Sequence, residues 1–116
     1  MRVLIAEDEF LVGIQLEEDL RSAGCSTVGP FSTLETATRA SRFERFDLAI
    51  LDINLNGDRV YPLADELSER GVPFIFLTGY IAADLPERFR RSPQITKPHD
   101  PAALIREIQT VVQRAD

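Results

Sequence analysis

Five short apolar runs punctuate the chain, and four of them end on a polar side chain rather than fading into a turn. The first, residues 2–6, runs into Glu7, Asp8 and Glu9; the third, 48–51, into Asp52; the fourth, 74–77, into Thr78; the last, 95–96, into Lys97. The second, residues 25–31, is weaker and closes at Gly29-Pro30. Between the runs the pattern changes to helical spacing. Val12, Leu16, Leu20 and Ala23 share one face, opposite Glu17, Glu18, Asp19 and Arg21, and Gly24 stops that helix. Ser32 and Glu35 suit a capping box at the head of a helix reaching about Phe43. Val60, Leu63, Ala64 and Leu67 predict a third helix, with Pro62 in its first turn and Gly71 behind it. Residues 81–92 are short and charged, enough for two helical turns. Asp100 caps and Pro101 opens a last helix striped by Leu104, Ile105, Ile108, Val111 and Val112.

The result is a strand–helix unit repeated five times. Right-handed crossovers make all five strands parallel. The third run lacks alternation, as a strand buried on both faces should. A carboxylate at its end is costly to bury without a purpose, and carboxyl ends of strands are where open α/β sheets bind ligands. The strand order is not fixed by the pattern. Both common orders bring the first and third strands together or nearly so.

Composition narrows the partners. At 116 residues the chain suits one domain, residues 1–116, with no linker, repeat or second, output domain. A net charge of -6 and a pI near 4.8 argue against nucleic acid or an anionic membrane as partner. No run approaches the ~20 apolar residues that span a bilayer, the first residues lack a signal-peptide layout, and the lone Cys25, a small core residue, fits a reducing cytoplasm.

The strand ends supply the candidate chemistry. Glu7, Asp8 and Asp52 crowded within a few ångströms repel by several kcal/mol at an effective dielectric of about 20, so something must neutralise them. An all-oxygen set with room for water is what Mg²⁺ prefers. The Thr78 hydroxyl and the Lys97 ammonium suit the oxygens of a phosphoryl group.

In this order, LIAEDE, LAILDINLNG, FIFLTGY and ITKP resemble the receiver domains of the two-component response-regulator family over the whole chain, as a stand-alone single-domain regulator. The resemblance implies a flavodoxin-like (βα)5 doubly wound sheet of order 2-1-3-4-5 with a short fourth helix. It implies that Asp52 accepts a phosphoryl group from a sensor histidine kinase or histidine phosphotransfer protein with Mg²⁺ as cofactor. Glu7, Asp8, Asp52 and the main-chain carbonyl of Asn54 then hold the metal, while Thr78 and Lys97 contact phosphoryl oxygens. Such a domain is not an enzyme acting on an external substrate; it is a monomer or weak dimer that signals through protein contacts.

Two positions depart from the family. Gln94 stands where an aromatic switch residue is usual, three before Lys97, and His99 follows Lys97-Pro98 where an aromatic is frequent. Tyr80 instead completes an F-x-T-G-Y signature found in a subset of receivers, as a packing residue or as a switch that gates water with Gly79 as hinge. His99 reads as a solvent-facing loop residue, and Arg88, Arg90 and Arg91 as a solvated face or a partner contact. With few apolar anchors beyond Ile81, Leu85 and Phe89, the segment 80–94 is expected to be the moving part. Taken singly, Glu7 and Asp8 are ordinary first-turn acids, Thr78 a turn residue and Lys97 a surface charge; their joint order lifts them above that. Two other functions compete: a pseudo-receiver that only binds a partner, and a Mg²⁺-dependent phosphohydrolase. The first has no use for the charge cluster. The second lacks a cap domain and has Asn54 where a second acid belongs.

Overall fold

A computed structural model describes residues 1–79 and 85–115. In chain order its elements are β1 Arg2–Ala6, α1 Phe10–Ser22, β2 Ser26–Phe31, α2 Leu34–Phe43, β3 Leu48–Asp52, β4 Asn54–Leu55, β5 Asp58–Arg59, α3 Tyr61–Glu69, β6 Phe74–Thr78, a 3₁₀ turn Glu87–Phe89, β7 Gln94–Thr96 and α4 Pro101–Ala115. Five strands pair in parallel in the order β2-β1-β3-β6-β7. Counting those five alone, this is the flavodoxin-like order 2-1-3-4-5. The two-residue strands β4 and β5 form a separate antiparallel ribbon beyond the end of β3.

Alternation along the strands sorts the core into two layers. Leu4, Ala49, Leu51, Phe74 and Phe76 face α2 and α3, meeting Ala37, Leu63, Ala64 and Leu67. Val3, Ile5, Leu48, Ile50, Ile75 and Leu77 face α1 and α4, meeting Leu16, Leu20, Leu104 and Ile108. Every residue of β3 is buried, Asp52 included. Burying a central strand on both faces is what removes any need for polar alternation within it.

Two local expectations are corrected. Thr33, not Ser32, caps α2: its backbone is extended and its Oγ1 accepts from Thr36 N at 3.1 Å. Glu35 consequently falls one place too early for a capping box and pairs with Arg39 instead, at 3.9 Å. Ala23 falls past the end of α1, as its C-cap. Of the segment 81–92, where two helical turns are expected, residues 81–84 lie outside the described residues and the remainder holds one 3₁₀ turn, Glu87–Phe89. Pro86 enters it in extended conformation (ψ 145°) and Pro93 follows it, and neither ring offers a backbone donor.

That turn is also better anchored than its charge suggests. Leu85 and Phe89 are each 3% exposed. Phe89 lies against Tyr61, Phe74 and Phe76 with ring centroids 5.7, 6.1 and 5.3 Å away. The Arg88 fork donates to both oxygens of Asp65 on α3, at 2.7 and 2.9 Å. The second half of the segment expected to move is thus clamped by an aromatic cluster and a two-pronged ion pair. Residues 80–84, with Tyr80, lie outside the described residues.

β2 depends on one close approach. The β1–β2 register slips between Leu4 and Ala6, where Gly29 adopts φ +99°, and a Cβ there would sit 2.7 Å from the Ile5 carbonyl oxygen. Gly71 also has positive φ (+71°), with nothing within 4 Å of where a Cβ would sit. Gly29→Ala should therefore cost roughly 3 kcal/mol, against about 1 kcal/mol for Gly71→Ala, since only the former adds a backbone clash to left-handed strain. Thermal unfolding of the two variants checks this; equal shifts would mean that the approach to Ile5 carries no weight.

Candidate functional site

The parallel register brings four strand ends to one edge of the sheet. β1 delivers Glu7 and Asp8, β3 ends on Asp52, β6 on Thr78, and Lys97 follows β7. Lys97 is held to β6 by its own N–H, which donates to the Thr78 carbonyl at 2.8 Å. An open pocket of about 330 Å³ lies over them, lined by Asp8, Glu9, Asp52, Asn54, Gly79 and Lys97. Glu7, Asp52 and Thr78 are buried beneath it. Thus every expected site residue among those described lies at this edge, while Tyr80 lies outside the described residues.

The ammonium of Lys97 is the hub. Nζ donates to Asp52 Oδ2 at 3.1 Å, to Glu7 Oε1 at 3.1 Å and to Glu9 Oε1 at 2.7 Å. Neutralisation, which the sequence assigned to a metal alone, is here shared by a lysine that was expected only to meet phosphoryl oxygens. Glu9 was read merely as the third acid of a run. It belongs to the cluster as a 61%-exposed partner of Lys97, and an acid that directly follows two site acids was the signal.

Burial dominates the titration of the deeper acids. Desolvation pushes the Glu7 carboxyl up to about 8; the amide of Glu9 works against this, and the neighbouring Asp52 adds to it. Asp52 is also raised by burial, with Glu7 and Lys97 opposing. Burial is the largest influence on Asp8 and would raise it as well, but the Asn56 amide, donating to Oδ2 at 2.9 Å, together with hydrogen bonds from Asp52, Glu7 and its own amide, holds the carboxyl below its ordinary value. Lys97 is driven the other way: burial alone would lower it, but Glu9, Glu7 and Asp52 together raise it.

The ribbon after β3 shapes the pocket floor. Asn56 at φ +51° and Gly57 at φ +92° turn it, as an Asn-Gly pair does between two antiparallel strands. The Asn56 side chain then donates to the Ser32 carbonyl at 2.9 Å, bracing the β3 loop against the β2 loop. Asn54 N reaches back to Asp52 Oδ1 at 3.3 Å. The role of Asn56 was missed, although the Asn-Gly dipeptide announced the turn.

One expectation fails outright. His99 does not face solvent: its side chain is 4% exposed, and Nε2 lies 2.6 Å from Asp19 Oδ2 on α1. That partner is 80 residues away in sequence, so no local pattern could reveal it.

The donor set fits a hard cation. Carboxylate oxygens of Glu7, Asp8, Glu9 and Asp52 come within 4.8 Å of one another. Glu7 Oε2 is buried without a hydrogen bond, its one close cation being Lys97 Nζ at 3.0 Å as an ion pair. An oxygen left so placed is one that a metal would satisfy.

In chelator, the Glu7 shift makes stability fall as pH rises. The fold keeps a proton that the unfolded chain releases near 4.5, so this contribution is complete below pH 4.5 and is lost as pH climbs through about 8. The melting temperature should therefore be higher at pH 5.5 than at pH 8.5, and Glu7→Gln should flatten the difference. A melting temperature that rises over this interval in the wild type would contradict the assignment.

Comparison with known proteins agrees with this geometry. The family model described as the response regulator receiver domain matches residues 3–109. The transcriptional regulatory protein PdtaR of Mycobacterium tuberculosis is 33% identical over 117 residues, covering 97% of this chain and 57% of that protein. The chain thus spans little more than half the length of this curated relative. The solution structure of SdrG from Sphingomonas melonis Fr1 superposes with a TM-score of 0.87 at 32% identity, covering 97% of this chain and 96% of that one. The signal receiver domain of a modulated diguanylate cyclase from Desulfovibrio desulfuricans G20 gives 0.86 at 30% identity, covering 98% and 94%. With the family match running from β1 into α4 and the acids, threonine and lysine at one sheet edge, the chain belongs to the response regulator receiver domain family.

Proposed function

We propose that Asp52 is the phosphoacceptor of a two-component relay. The observation that carries this is a buried carboxylate at the end of the central strand whose oxygen meets an ammonium at 3.1 Å beneath an open pocket. An Asp52 oxygen attacks the phosphorus of a phosphohistidine protonated on its other ring nitrogen; the P–O bond forms, the P–N bond breaks, and the histidine leaves as neutral imidazole that keeps that proton. Glu7, Asp8, Asp52 and the Asn54 carbonyl would hold Mg²⁺, which would supply charge neutralisation for the transferring group. Once the carboxylates are so compensated, the Lys97 ammonium is released to a phosphoryl oxygen, and the Thr78 hydroxyl donates to another. Gly79, lining the pocket without a side chain, leaves room for the group. The cognate donor is a sensor kinase or phosphotransfer protein, and a small phosphoryl donor can stand in for it. Phe10 and Leu11, 77% and 79% exposed, flank the pocket directly after Glu9 and give a protein partner an apolar rim to dry.

Incubation with acetyl phosphate and Mg²⁺, followed by intact-mass measurement, tests the reading. Wild type should gain one phosphoryl group and Asp52→Asn none. No gain in the wild type would favour a pure interaction module, and continuous release of phosphate from an external substrate a phosphohydrolase.

Metal binding has its own readout. Millimolar Mg²⁺ should raise the melting temperature of the wild type, and more at pH 8.5 than at pH 6, because Glu7 must give up its proton to act as a ligand. Superimposable melts at both pH values would exclude a Mg²⁺ site here.

A further inference from the structure

We propose that the His99–Asp19 bond positions Lys97, by pinning the strand-to-helix loop that carries it to α1. The inference rests on the phosphoacceptor reading for what Lys97 does, and on geometry alone for how Lys97 is held.

The loop from β7 to α4 is short and fastened at both ends. At its start the Lys97 N–H donates to Thr78 O at 2.8 Å. At its finish Asp100 Oδ2 accepts from Ala103 N at 3.0 Å and caps α4. Of the two residues between, Pro98 is exposed, and His99 turns inward to Asp19, whose side chain is 12% exposed. Since a carboxylate only accepts, Nε2 carries the hydrogen of this bond. The other Asp19 oxygen, Oδ1, accepts from Gln15 Nε2 at 2.9 Å, so the acceptor is itself oriented from the preceding turn of α1.

An apolar side chain at position 99 would fill the same space beside the α1–α4 layer without desolvating a polar ring. What it would lack is direction. A hydrogen bond between two largely covered side chains fixes the rotation of the loop as well as its distance from α1, and the ammonium two residues earlier swings from that loop. The tether matters most when Lys97 changes partners. In the ligand-free arrangement Lys97 also grips α1, through Glu9 at the helix N-cap. Moving to a phosphoryl oxygen surrenders that grip. The His99–Asp19 bond touches no pocket group and persists, so the backbone stays in place while only the lysine side chain travels.

The full chain, uniformly ¹⁵N-labelled, tests this. His99→Leu and Asp19→Ala remove the bond, and His99→Gln keeps a donor near the position of Nε2. Each is assayed for labelling by acetyl phosphate with Mg²⁺, alone and combined with Lys97→Ala, and for hydrogen exchange of the Lys97 amide. Misplacing a reacting group by about 1 Å costs up to 10²-fold, so a loosened loop should slow labelling roughly tenfold. His99→Gln should label near the wild-type rate. In the Lys97→Ala background neither disruptive variant should slow labelling further, because the residue they act through is gone. The Lys97 amide should exchange faster in His99→Leu than in wild type, relative to amides of β1 and β3. Equal slowing with and without Lys97 would overturn the proposal by showing general structural damage, as would unchanged labelling and exchange. A wild type that takes no label would instead sink the phosphoacceptor reading. Lys97 exchange then decides the tether alone, with equal exchange in His99→Leu and wild type overturning it.

Discussion

One ammonium amid carboxylates is the constraint on which the rest depends. Lys97 lies within hydrogen-bonding distance of acids from β1, the head of α1 and β3. Removing the cation from such a group would leave buried negative charge uncompensated, which is far costlier than losing a surface pair. The sheet order follows the same logic. β1, β3, β6 and β7 are neighbours in the order that sets their carboxyl ends side by side, and two fully covered faces leave that edge as the place where polar groups can gather.

Much of this was legible from residues alone, because the site residues stand where apolar runs stop. Asp52 ends an unbroken run, Glu7 and Asp8 follow another, and Thr78 and Lys97 close two more. Strand ends are marked locally by loss of hydrophobicity, and a parallel sheet gathers its carboxyl ends at one edge. The acids, the hydroxyl and the lysine therefore came together as expected.

What stayed hidden was set by distant partners or by a one-residue choice. His99 is polar, single and next to proline, all of which point to a loop facing water; its partner on α1 reverses that. Phe89 was one of a few apolar anchors in a charged segment, and its ring partners Tyr61, Phe74 and Phe76 come from distant elements. Ser32 and Thr33 are both competent caps, and the extended backbone of Thr33 decides between them. The sharing of Lys97 among three acids was hidden for another reason. Its chemistry was read for the occupied site, whereas the ligand-free fold must balance its own charge.

The position of Lys97 in the chain has a consequence for how the protein is made. A chain emerging in order from the N-terminus displays all its pocket acids once Asp52 is out, but their counter-charge arrives only after 45 more residues. Until then β6 is a bare sheet edge, and the three buried or half-buried acids have no cation among them. The last strand to be made thus brings both the closing edge of the sheet and the counter-charge of the pocket. The helix that follows it, α4, then covers the face of the sheet that α1 leaves open.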